Sequence, residues 1–213
     1  MKKFITTSPL QEKLSCVKYE AVDNDLLKYS EETCFPVIPL LNGYVKDGDE
    51  IELIVLCHKG HHDRHGNFKN SSEENFKTLQ KEVENLQKKK NFQCKITKIE
   101  MEYNECISEH LNNFEHLIEQ IEDKDELYAC MSYGTKAVPI IEMMALNYAY
   151  RAKFDTHIGC IVYGATVFDR ESKVTDAKIY DMTSLFYLDE IVRKVADLKM
   201  DNPLETIHQI LEL

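Results

Sequence analysis

Apolar runs of strand length alternate along this chain with stretches of helical spacing. Ile51–Cys57 (IELIVLC), Leu127–Met131 and Thr156–Gly164 (THIGCIVYG) are nearly continuous, the pattern of strands buried on both faces. Lys2–Thr7 (KKFITT), Phe92–Met101 (FQCKITKIEM) and Ala177–Met182 (AKIYDM) predict three further strands. Phe76, Leu79, Val83 and Leu86 draw one apolar stripe on a charged helix, Ser72–Lys89. Ile107, Leu111, Phe114, Ile118 and Ile121 mark a second amphipathic helix. Val138–Tyr150 is apolar on nearly every face and predicts a buried helix. A helix opening near Pro36 ends at Asn42-Gly43. Leu185, Leu188, Ile191, Val192, Val195 and Leu198 predict a long helix over Ser184–Lys199, which Asp201-Asn202-Pro203 interrupts. A last helix then runs from Leu204 to Leu213. Strands alternating with helices predict an α/β chain with a mostly parallel sheet covered on both sides.

Three polar turns follow strands and so fall at one edge of that sheet. The first, Thr6-Thr7-Ser8-Pro9, offers Ser8 and Gln11 as hydrogen-bonding groups; it reads equally as a helix-capping turn. The second, Ser132-Tyr133-Gly134-Thr135-Lys136, leads from a strand into a helix. Free amides at the helix start, the Ser132 and Thr135 hydroxyls and Lys136 suit an anion, although an ordinary strand-to-helix turn has the same composition. The third, His58–Asn70 (HKGHHDRHGNFKN), spaces Cys57, His61 and His65 four apart. Imidazole and thiolate are zinc donors, but Gly60 and Gly66 oppose a regular helix, and a mobile loop reads as well. In sheets of this kind ligands bind beyond the carboxyl ends of the strands.

Composition narrows the classes. The 213 residues suffice for one domain with a small appendage, and a net charge of −11 excludes a general nucleic-acid platform. No apolar run approaches the length of a membrane span. The start, MKKFITTSP, has only a two-residue apolar run behind its lysines and does not read as a signal peptide. Seven dispersed cysteines without a CxxC pair read as reduced thiols of a cytoplasm, with Cys94, Cys130 and Cys160 as small core residues. Neither GxGxxG nor GxSxG is present, which argues against a dinucleotide site and a hydrolase elbow.

The TTSPLQ turn, the FPVIPLLNGYVKDGDEIELIVL stretch and the strand-SYGTK-xxP-helix unit resemble the CARF domain, the CRISPR-associated Rossmann fold. The resemblance spans roughly Met1 to Met182 and is most specific at Ser132–Pro139, where the family often shows Thr/Ser-x-Gly-x-Lys before an apolar helix. It implies a Rossmann-like three-layer fold over residues 1–182, with 183–213 a C-terminal helical segment that makes a dimer contact or links to an effector domain. It further implies a prokaryotic, cytoplasmic homodimer that binds a cyclic oligoadenylate, tetra-adenylate favoured over hexa-adenylate, as the sensor of a type III CRISPR antiviral effector. The implied ligand-binding residues are Thr7, Ser8, Pro9, Gln11, Ser132, Tyr133, Gly134, Thr135 and Lys136. No metal and no cofactor is expected, and neither a membrane nor a long nucleic acid is an expected partner.

Some members of that family cleave the ring by metal-independent attack of a ribose 2′-hydroxyl, and in that alternative Ser8 and Lys136 carry the chemistry. A third reading, outside the family, is a Rossmann-like enzyme binding a mononucleotide at the same turns. The roughly thirty residues after the last strand are too few for another domain core. The chain therefore reads as a stand-alone sensor or as the sensor part of a longer protein.

Overall fold

The computed structural model describes residues 1–63, 65–171 and 173–212. Arg64 and Ser172, within the expected His58–Asn70 and Asp169–Thr175 loops, and Leu213, at the expected helical end, lie outside the described residues. The strands are β1 (Lys2–Thr7), β2 (Glu20–Ala21), β3 (Glu50–His58), β4 (His61–His62), β5 (Phe68–Lys69), β6 (Gln93–Met101), β7 (Glu126–Cys130), β8 (His157–Phe168) and β9 (Val174–Asp181). The helices are α1 (Val37–Tyr44), α2 (Ser71–Lys90), α3 (Ile107–Ile118), α4 (Val138–Ala152), α5 (Thr183–Asp197) and α6 (Pro203–Leu211).

Seven strands form one sheet in the order β2-β9-β8-β7-β1-β3-β6. All neighbours are parallel except β8 and β9, which form an antiparallel hairpin. The chain winds outward from β1 in two directions, through β3 to β6 and through β7 to β8 and β9. The strand order therefore reverses between β1 and β7, as in Rossmann-like α/β folds. Helices cover both faces, with α1 packed on α2 and α3 packed on α4.

Alternation along the strands divides the core. Phe4 of β1, Leu53 and Val55 of β3, Tyr128 of β7 and Cys160 of β8 join Ile38 and Leu41 of α1 and Leu79 and Val83 of α2 in one apolar cluster. The ring of Phe4 stacks on Tyr128 at 4.6 Å, which fixes β1 against β7 from within. At the amino end of the sheet a buried charge is balanced: Lys3 Nζ lies 3.0 Å from Asp125 Oδ2 and 3.5 Å from Glu52 Oε2.

Several expectations need correction. α4 is buried on one face only, through Val138, Ile141, Ala145, Leu146 and Ala149, while Ile140 and Met144 are 62% and 49% exposed. Packing against a flat sheet protects only one side of a helix, whatever its composition. α1 runs past Asn42-Gly43 to Tyr44, and β8 extends beyond Gly164 to Phe168 because β9 pairs with it. Cys16 and Cys34 are joined in a disulfide, so the expectation of uniformly reduced thiols fails at this pair. Residues Met182–Leu213 form a second compact unit, in which α5 and α6 pack on each other.

Candidate functional site: the turns where the sheet reverses

The register that pairs Thr6 with Cys130 brings the turn after β1 beside the turn after β7. The contact is close at Gly134. Its φ is +107°, and a Cβ there would lie 3.0 Å from Val138 Cβ and 3.2 Å from Thr7 Cγ2. Glycine is needed both for the backbone angle and for the approach of the two turns.

The nine residues expected in this site divide by where their side chains go. Thr7 is buried and donates from Oγ1 to Glu142 Oε1 at 2.9 Å. Ser8 is wholly buried; its N–H donates to the Leu56 carbonyl at 2.8 Å and its hydroxyl to the Ser72 carbonyl at 2.6 Å. Ser132 Oγ accepts from the Gly164 N–H at 2.7 Å. Gly164 permits this because a Cβ in its place would sit 2.2 Å from Pro36 Cγ. The Tyr133 hydroxyl donates to the Cys34 carbonyl at 2.8 Å, and burial pushes its pKa up. These four side chains brace the turns.

The others lie outward or hold backbone. Asn75 of α2 donates to the carbonyls of Pro9 and Gln11 at 2.9 and 2.8 Å, while the Gln11 residue itself is exposed. Gly134 and Lys136 are exposed and Thr135 is half-buried. Thr135 and Lys136 line a cleft of about 320 Å³ with Tyr103 and Glu105 from the segment between β6 and α3.

Three residues beneath and beside the turns were not singled out from sequence. Glu142 is wholly buried under the first turns of α4. Burial pushes its pKa up to about 8 against the opposing hydrogen bond from Thr7, and its second oxygen has no hydrogen-bond partner. An acid four residues after Val138, on the apolar face of VPIIEMMALNYAY, was the visible signal. Asn75 carried none, since one amide on a charged helix is unremarked. Tyr103 stacks on His61 with ring centroids 3.6 Å apart, a pairing between loops that no spacing reveals.

The histidine loop folds as the β4–β5 hairpin. Its potential donors diverge: the buried Cys57 thiol contacts Ser72, His61 stacks on Tyr103 and His62 packs against Phe68. Among the described residues, Cys16, Cys34 and Glu82 are the donors that do converge, their ligand atoms within 4.8 Å of one another. The two sulfurs are bonded to each other, which removes the thiolates a metal would need.

Fold and site together define a Rossmann-like α/β protein in which the turns after β1 and β7 meet where the strand order reverses. No protein-family model matches the chain, and the search of curated proteins returned no match. Among the described residues no helix is long and apolar enough to cross a membrane.

Proposed function

We propose that this chain is a cyclic oligoadenylate-binding sensor domain of a type III CRISPR antiviral effector, with cyclic tetra-adenylate preferred, acting as a cytoplasmic homodimer. The observation that carries the reading is the juxtaposition of the TTSPLQ and SYGTK turns at the point where the sheet reverses. Ligand contacts come from Gln11, Thr135, Lys136 and the amides around Gly134, because the side chains of Ser8, Ser132 and Tyr133 are engaged within the protein. A small site of local donors serves an anion even on a protein of net charge −11.

A second copy of the chain would cover the apolar side chains left exposed near this edge. Ile140 and Met144 on α4 lie shortly after Lys136, and Ile107 and Leu111 on α3 follow Tyr103. A two-fold axis presents each turn twice, which suits a cyclic ligand with its own symmetry.

The test is incubation of the pure protein with cyclic tri-, tetra- and hexa-adenylate, separation of bound from free nucleotide, and chromatography of both. Recovery of one ring bound and intact supports the sensor. Linear products ending in 2′,3′-cyclic phosphate would instead make it a ring nuclease. Ser8 is a poor candidate for that chemistry, since its hydroxyl donates to Ser72. Absence of binding for all three rings overturns the reading. Lys136→Ala is expected to weaken binding roughly 10- to 100-fold, the effect of losing a charge-assisted hydrogen bond, with an unchanged circular dichroism spectrum.

A further inference from the structure

A second polar cleft, of about 200 Å³, opens beyond the end of β3. Its walls include His58 and His61, Lys69, Tyr103, and Ser71 and Ser72 at the start of α2. The reversal between β1 and β7 does not account for it. We propose that this cleft is an oxyanion subsite that takes a phosphate group, held by the first-turn amides of α2 and the imidazole of His58.

Two independent observations support this. α2 is twenty residues long, and its N-cap Asn70 makes no side-chain capping bond. The first backbone N–H engaged by the preceding turn is that of Glu74, bonded to the Asn70 carbonyl at 3.2 Å, and among the described residues the amides of Ser71, Ser72 and Glu73 find no acceptor. Such a turn carries partial positive charge and free donors.

The second observation is His58. It is only 5% exposed, and neither ring nitrogen makes a hydrogen bond of normal geometry, although the Glu102 backbone lies close enough to favour the protonated ring. An orphaned polar group of this kind is costly in a folded protein. His58 is among the residues that line the cleft, and its backbone N–H donates to Ser72 Oγ at 3.0 Å, which pins the end of β3 to the first turn of α2. Burial lowers the pKa of His58; the Glu102 backbone and Glu105 oppose that effect and His61 adds to it. A neutral imidazole still supplies one N–H donor.

The charged groups around the cleft are compatible with an anion. Lys69 pairs with Glu12, and Lys59 pairs with Glu102 at 2.5 Å; all four side chains are substantially exposed. Exposed pairs are weak, so Lys69 can exchange Glu12 for a phosphate oxygen. Glu73 turns its carboxylate to Lys98 at 2.5 Å. The subsite does not depend on the cyclic-adenylate reading.

The experiment is a titration of the full-length, isotope-labelled protein with inorganic phosphate, followed by amide and imidazole NMR signals, with sodium chloride at matched ionic strength as control. Saturable shifts are expected at Ser71, Ser72, Glu73 and the His58 ring, with chloride giving none. His58→Phe is expected to weaken phosphate binding at least tenfold. His58→Gln, which keeps a donor, should restore part of it, and Lys69→Ala should weaken it about threefold without touching the core. Equal shifts with chloride, shifts scattered over surface lysines, or wild-type affinity in both His58→Phe and Lys69→Ala would overturn the proposal. If His58→Phe fails to fold, Lys69→Ala and the location of the wild-type shifts decide. Loss of cyclic-adenylate binding alone leaves this result standing, because the probe here is phosphate.

Discussion

At the scale of residues, the most consequential group is one that sequence patterning passed over. Glu142 is wholly buried, with a pKa raised from 4.5 to about 8, mainly by loss of solvation. Between those values the folded protein holds a proton that the unfolded chain has released. Stability therefore falls as pH rises through this window, by up to about 1.4 kcal/mol per pH unit, and the contribution levels off above it. Glu142→Gln removes the titration. Urea unfolding at pH 5.5 and 7.5 should show the variant losing about 2–3 kcal/mol less than the wild type over that interval. Parallel pH dependence in both proteins would disprove the assignment. The carboxyl also keeps Thr7 turned inward, away from any ligand, by accepting its hydroxyl.

At the scale of elements, the strap between β1 and α1 depends on more than its own sequence. Residues 10–35 contribute only the two-residue strand β2, a short 3-10 helix at Asp25–Leu27 and an isolated bridge between Val17 and Thr33. The Cys16–Cys34 disulfide closes this loop beside the start of α1, and Glu82 of α2 accepts from the Cys34 N–H at 3.2 Å. With a sequence separation of 18, the cross-link is expected to contribute about 3 kcal/mol by restricting the unfolded chain. Thermal unfolding should shift downward when a reductant is added to the wild type, whereas Cys16→Ser should be insensitive to it. No reductant effect on the wild type would mean that the strap is held without the bond.

At the scale of the whole molecule, stability should grade outward from the centre of the sheet. β1 is hydrogen-bonded on both sides, to β3 and β7, and is covered on both faces. β2 has two residues, and β6 at the opposite edge carries Lys95 and Lys98, charges that blunt an exposed edge. Native-state hydrogen exchange should find the slowest amides in β1, β3 and β7, and fast exchange in β2 and the β4–β5 hairpin. Exchange in β1 as fast as in the hairpin would contradict this sheet order. The same arrangement brings the loops after β1, β3, β6 and β7 to one edge, where the cleft at Lys136 and the cleft proposed for phosphate share Tyr103 in their linings.

The alternation of apolar runs with helical stripes was enough to establish the six longer strands, the six helices and the mostly parallel α/β class, though not the two-residue strands β2, β4 and β5, because burial on two faces leaves a continuous apolar strand, burial on one face leaves a stripe, and two residues leave neither. The glycine turn before α4 was equally legible, since a φ of +107° admits little else. The destinations of the polar side chains were not. Ser8, Ser132 and Tyr133 look like ligand donors in the sequence, and only the neighbours supplied by Ser72, Gly164 and Cys34 turn them into braces. The pairing of Cys16 with Cys34, the burial of Glu142 and the orphaned ring of His58 likewise arise from contacts between segments far apart in the chain. A local pattern fixes which face of an element is apolar; which polar atom finds a partner is settled only when the elements pack.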